Sequence, residues 1–186
     1  TNQIGNVSTA SAPFTVTVDT VTPGTPTVDT IAENGAGGIS FSEASNGTPV
    51  VVGLAGTNGV AGDTVMVTWG SQTVSYTLLA ADIVAGNATV TVPQAMIAAQ
   101  GDGTFDVTAK VTDIAGNVGV SSSAFPVHVD TVVPAAPAIS SVAENASGGI
   151  NAAEAADGTP VVVSLSGTGA VAGDTVTVSW GSQSID

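Results

Sequence analysis

Short runs in which apolar and polar residues alternate one by one occur along most of the chain, and each predicts a β-strand with a single buried face. Val65-Met-Val-Thr-Trp69 and Val176-Thr-Val-Ser-Trp180 turn Val and Trp inward. Phe105 to Thr112 places Phe105, Val107, Ala109 and Val111 on one face and Asp106, Thr108, Lys110 and Thr112 on the other. Phe14 to Val18, Ala88 to Val92 and Phe125 to Val129 alternate in the same way, and Thr48 to Val52 is more continuously apolar. Turn chemistry separates the runs: Asn46-Gly47, Ala61-Gly62-Asp63, Gly86-Asn87, Gly101-Asp102-Gly103 and Ala115-Gly116-Asn117. Only Pro93 to Gln100, opened by Pro and closed by Gly101, predicts a turn or two of helix.

The pattern also repeats, every 111 residues and without a gap. Asp19 to Ser75 aligns with Asp130 to Asp186 at 33 identical positions of 57, and Thr1 to Val18 with Thr112 to Val129 at 8 of 18. A period of domain length means an array of whole domains, since solenoid repeats are far shorter. About seven short strands per unit, with a turn signal between each, predict an all-β fold: tandem immunoglobulin-like β-sandwich domains in a linear array. The disulfide and tyrosine corner of antibody domains are absent, so the expectation concerns architecture alone. It divides the chain into residues 1–18, the last strand of a preceding repeat; 19–129, a complete repeat; and 130–186, the N-terminal half of the next. The chain then reads as a window on a longer array. Pro23 and Pro26, like Pro134 and Pro137, stiffen each boundary into an extended path.

Charge narrows the partners. Fifteen acidic residues face one lysine, Lys110, and no arginine, a formal charge of −14. Nucleic-acid backbones and anionic membranes repel such a chain. Val50 to Leu54 is its longest apolar run, too short to enter a bilayer, so no membrane insertion is expected and any secretion signal or anchor lies outside this stretch. Cysteine is absent, which removes disulfides and thiol chemistry. His128 is the sole histidine and alternates with inward-facing valines, which points it to water. No zinc site, catalytic triad or arginine clamp can be assembled from this inventory, and the expectation is a protein that is not an enzyme.

Carboxylates are what remain. Asp63, Asp174 and Asn46 read as turn formers. Asp102, Asp113, Asn117, Asp130, Glu144 and Glu154, with the repeat equivalents Asp19, Glu33 and Glu43, are candidate metal ligands. Glutamate is a poor turn former, and Glu33 and Glu43 recur as Glu144 and Glu154. Strand order puts Asp102 and Asp113 at opposite poles of the sandwich, and the last strand returns Asp130 to the pole of Asp102. Hard oxygens gathered where domains meet, with no base to neutralise them, suit Ca²⁺ as a structural cofactor.

Asp113-Ile-Ala-Gly-Asn117, Val129-Asp-Thr-Val-Val-Pro134, Ile150-Asn-Ala-Ala-Glu-Ala155 and Ala61-Gly-Asp-Thr-Val65 together resemble the bacterial Ig-like repeats of giant repetitive surface adhesins of the biofilm-associated and RTX types, exported by type I secretion. The resemblance covers essentially the whole chain. It implies extender domains on the bacterial cell surface, partnered by neighbouring Ig-like repeats of the same chain and stiffened at their junctions by Ca²⁺. It also implies Asp113, Asp130 and Glu154 as ligands. Three departures stand out: Asn2 replaces the turn aspartate in the first copy, Ser40-Phe41-Ser42 replaces Asn151-Ala152-Ala153, and Ala-Glu-Asn stands at 32–34 and 143–145 where many relatives carry Gly-Asp-Asp or Gly-Asp-Asn. The competing readings are a module that itself binds glycan or ice, or an accessory domain of a secreted enzyme. A glycan site would want exposed aromatics, whereas Trp69 and Trp180 both alternate with inward valines. An ice-binding face would want threonines ranked on one side, and here they are spread over many strands.

Overall fold

A computed structural model gives the fold and describes residues 1–35, 37–145 and 148–186. It divides into two compact units, Thr1–Thr131 and Val132–Asp186.

In the first unit, eight strands form two sheets. A three-stranded sheet has the order β1 (Thr27–Ile31), β3 (Thr48–Gly53), β6 (Asn87–Val92). A five-stranded sheet has the order β2 (Ile39–Ser40), β8 (Phe125–Asp130), β7 (Gly103–Thr112), β4 (Thr64–Trp69), β5 (Gln72–Thr77). All pairs are antiparallel except β2 with β8, and β1 carries a bulge between Val28 and Thr30. The inward positions foreseen from alternation close the core: Val65, Val67, Trp69, Val107, Val111 and Val127 are all at most 1% exposed. Phe105 and Phe125 pack against that core half-buried. Trp69 lies opposite Val107 on β7 and presents its indole to the interior.

Three short helices cross between sheets. The foreseen one is α3 (Gln94–Gln100), with Pro93 as its N-cap and Gly101 as its C-cap. Two were not foreseen. α1 (Phe41–Ala44) is nucleated by a capping box, in which Glu43 N–H donates to Ser40 Oγ and Ser40 N–H to Glu43 Oε2. α2 (Ala80–Ala85) starts where Asp82 accepts from Leu79 N–H and from Tyr76 Oη, and stops at Gly86 in the left-handed region. Elements of four to six residues are too short to leave a helical period in the sequence.

Two strand expectations need correction. Phe14 to Val18 forms no strand, and residues 1–18 are exposed throughout. Its equivalent, β8, exists by pairing with Gly103 to Val107 of β7, and this stretch has no such partner among the described residues. Trp180, expected inside, is 55% exposed. In the second unit β9 (Ala138–Val142) pairs with β10 (Val161–Ser164), and β11 (Val178–Trp180) with β12 (Gln183–Ile185). These repeat β1, β3, β4 and β5, down to the bulge, but counterparts of β6, β7 and β8 are not among these residues, and Trp180 lacks the strand layer that closes over Trp69.

Trp69→Ala should cost about 3–5 kcal/mol, the usual range for truncating a fully buried large aromatic. Urea melts followed by far-ultraviolet circular dichroism measure it, and a loss under about 1 kcal/mol would mean that the β4–β7 layer does not bury the ring.

Candidate functional site

The ten residues of β7 span about 33 Å at the usual strand rise, with Asp113, Asn117 and Asp19 beyond one end and Asp102 and Asp130 beyond the other. Past Thr112, at the leading pole, the turn Asp113–Asn117 faces the linker that enters the unit. Asn117 donates its backbone N–H to Asp113 Oδ1 and its side-chain Nδ2 to Asp113 Oδ2, both at 2.8 Å. The same Nδ2 donates to the carbonyl of Asp19 at 3.1 Å. Asp19 Oδ1 in turn accepts from Val21 N–H at 3.0 Å, and Gly24 N–H donates to Thr57 O at 2.9 Å. Gly119 lets the linker this close, since a Cβ there would stand 2.7 Å from Pro23 O.

Asp63 is more than a turn former. It is 2% exposed, accepts Val60 N–H at 2.8 Å within its own turn, and accepts Ile114 N–H at 3.1 Å across the pole. One carboxylate thus ties the β4 approach to the turn after β7. The sequence shows the local half of this role, and the partner 51 residues away has no local signal. Asp19, Asp63 and Asp113 line one cavity of about 230 Å³ with Thr57, Asn58 and Ile114.

Before Gly103, at the trailing pole, Asp102 Oδ1 accepts both the N–H (2.8 Å) and the hydroxyl (2.7 Å) of Thr131 in the departing linker. Asp130 pairs with Ser40 in the β2–β8 ladder, and Gly103 with Val129, so Asp102 and Asp130 share this pole as strand order requires. Nearby, Asn34 behaves as a one-residue strand: its Nδ2 donates to Pro126 O and its Oδ1 accepts His128 N–H, each at 3.1 Å. His128 is exposed, with Thr104 Oγ1 3.4 Å from its Nδ1.

The recurring glutamates have local employment. Glu43 caps α1, and Glu154 accepts Asn151 N–H at 2.8 Å at the start of a 3₁₀ turn in the second unit. Their repetition preserves a capping signal. Glu33 and Glu144 are different: each holds one carboxylate oxygen shut off from solvent without a hydrogen-bond partner. The carboxylates at both poles are hard oxygen donors of the kind that suits Ca²⁺. The ion takes six to eight oxygens at 2.3–2.6 Å, and among the described residues no three of Asp, Glu, His and Cys stand close enough together to hold a metal.

The threonines are less scattered than the sequence suggests. On the outer face of β5, β4 and β7, Thr77, Thr64 and Thr112 form one row and Thr73, Thr68 and Thr108 another. Ser75, Met66 and Lys110 interrupt them in the row between, so no continuous hydroxyl lattice results.

Thr131 hydrogen bonds hold the Asp102 carboxyl below its usual range, and the Asn117 side chain does the same for Asp113. A depressed carboxyl contributes stability that is complete above the ordinary value of 3.8 and fades as pH falls below it. Asp102→Asn and Asp113→Asn should therefore lower the melting temperature at pH 7, and the difference from the parent chain should shrink as pH falls below 3.8 and each carboxyl takes up its proton. Asp63→Ala, which strands two amides, should cost at least about 2 kcal/mol at pH 7 in urea melts.

Comparison with curated proteins finds no match. Among solved structures, the chain is similar to a bacterial immunoglobulin-like domain from the M. primoryensis ice-binding adhesin, with 30% identity over 58% of this chain and 96% of that one, at a TM-score of 0.39. It is also similar to a chain solved for the host cell surface retention of a 1.5-MDa bacterial ice-binding adhesin, with 31% identity over 62% of this chain and 35% of that one, at a TM-score of 0.40. The family model described as "Bacterial Ig-like domain" matches residues 25–131, from just before β1 to Thr131 at the end of the first unit. With two sheets closed over Trp69 and a family match over more than half its length, this chain belongs to the bacterial Ig-like domain family.

Proposed function

We propose that this chain is part of the extending stalk of a secreted adhesin on a bacterial cell surface, a non-catalytic spacer that supports adhesion and biofilm formation. The observation that carries the reading is mechanical. One unit hydrogen-bonds the linker at each of its two poles, about 33 Å apart along β7, as an end-to-end spacer needs. Load entering at Asp19 and leaving at Thr131 is borne by β7 and its neighbours, and the acidic surface keeps adjacent stalks from sticking together. Trp69 is buried, which removes it from any glycan site.

Ca²⁺ belongs to this reading as an added brace. Asp19, Asp63 and Asp113 around the leading cavity, and Asp102 and Asp130 at the trailing pole, supply hard oxygens that the ion would have to draw closer together, against a charge that repels itself within a Debye length of about 8 Å. With a dissociation constant of about 10⁻⁴ M, 10 mM Ca²⁺ would stabilise the fold by roughly 2.7 kcal/mol per site. The neighbouring Ig-like repeats of the same chain are the partners of this module.

Antibodies raised against the complete unit should label intact cells of the source bacterium, and external protease should remove the label. Labelling only after lysis would overturn the stalk reading. Melts of the 186-residue chain in 10 mM Ca²⁺ and in EDTA test the brace separately: a higher melting temperature with Ca²⁺ is expected, and identical curves would exclude it.

A further inference from the structure

We infer that the free edge of β5 is an interaction surface for a second copy of the same unit, which adds there edge to edge and antiparallel. The two sides of the first unit's sandwich are finished differently. On one side lie β1 and β8, and both are closed to a further strand. β1 is broken by a bulge that carries Asp29 at the surface, and bulges and charges turn added strands away. On β8, Pro126 has no N–H to offer, Asn34 takes the Pro126 carbonyl and the His128 N–H, and β2 covers Val129 and Asp130. On the other side lie β6, against which α2 packs, and β5. β5 has none of these devices. It pairs with β4 over six residues without a shift in register, contains no proline and no charge, and no other strand among the described residues pairs with it. The Gly70-Ser71 turn joins Trp69 to Gln72, so Gln72, Val74 and Tyr76 spend their backbone groups on β4. Thr73, Ser75 and Thr77 turn theirs outward, and all three are exposed.

Charge selects the occupant. Of fifteen acidic residues, the stretch from Thr64 to Gly101 holds only Asp82, whose carboxylate is occupied by Tyr76 Oη and Leu79 N–H. The acid that keeps stalks apart is therefore missing along this strip, and a second copy meets no repulsion there. The strip also complements itself. A two-fold axis through Ser75 sets Ser75 opposite Ser75 and Thr73 opposite Thr77, hydroxyl facing hydroxyl across the strands. Lys110 shares a row with Ser75 and Met66, and would stand about 24 Å from its twin, well past a Debye length of about 8 Å. The surface belongs to one unit and goes beyond the stalk reading, which only supplies neighbours held at high local concentration.

The chain has no cysteine, so single cysteines read the geometry directly. The tests use the 186-residue chain in about 0.15 M salt, where repulsion is screened. Under mild oxidation Ser75→Cys should dimerise at least about tenfold faster than Thr30→Cys, an exposed position on the closed side, because Ser75 meets its twin within the roughly 7 Å that a disulfide spans. Thr73→Cys alone should stay monomeric, its twin lying about 13 Å away along the strand, whereas a mixture of Thr73→Cys and Thr77→Cys should cross-link. In sedimentation equilibrium the mean mass of the parent chain should rise with concentration toward the dimer. Ser75→Lys sets like charges on the axis and should hold the chain at monomer mass, with an unchanged circular dichroism spectrum showing that the fold is kept. Equal rates for Ser75→Cys and Thr30→Cys, or a mixture no better than Thr73→Cys alone, would overturn the pairing. So would a parent chain that stays monomeric, or a mass that rises equally in Ser75→Lys and places the contact elsewhere. Each of these outcomes leaves the surface labelling of the stalk untouched.

Discussion

The long strand β7 is the constraint on which the complete unit depends. It bonds to β4 along its upper half and to β8 along its lower half, and at ten residues it is the longest strand of the five-stranded sheet. Its inward positions, Val107, Ala109 and Val111, close the core beside Trp69. Its two ends deliver Asp102 and Asp113 to opposite poles. Packing and linker control therefore share one element. The second unit illustrates the dependence: strands equivalent to β4 and β5 are present, no equivalent of β7 covers them, and Trp180 stands exposed.

A second constraint comes from having one lysine and no arginine. With fifteen acidic residues and one lysine, nearly every carboxylate that needs a donor must find a backbone N–H, a hydroxyl or an amide. The structure shows that solution repeatedly. Asp63 takes two backbone amides, Asp82 a phenol and an amide, Asp102 a hydroxyl and an amide, and Asp113 an amide and a carboxamide. Hydrogen bonds to a charged acceptor are about twice as strong as neutral ones, so these acidic residues fasten loops firmly. Acidity here is both a surface property and a way of tying turns.

Alternation made the strands legible, because a residue's face follows from counting by two. The repeat is read directly from the sequence, and the turn positions of Asp102, Asp113 and Asn117 are legible there too. Their chemistry was less so. Glutamates recurring at 33, 43, 144 and 154 suggested ligands, yet for Glu43 and Glu154 the recurrence maintains caps three residues away, a signal that was present in Ser40-x-x-Glu43 and passed over. Asp63 looked like the middle of a turn because its second partner, Ile114, comes from another strand pair.

Composition, alternation and period by themselves determined an all-β chain, its repeat and its buried face, since each depends on residues near one another in sequence. Tertiary structure decided what the polar side chains do. The orientation of Asn117 toward Asp19, of Asp102 toward Thr131 and of Asn34 toward β8 spans 98, 29 and 92 to 94 residues. It follows from how β7 and β8 are stacked, and no local pattern encodes it. The same holds for Phe14 to Val18 and for Trp180, which carry the signals of strand and core. A strand is made by its neighbour and a core residue by what covers it, and both are supplied by other parts of the fold.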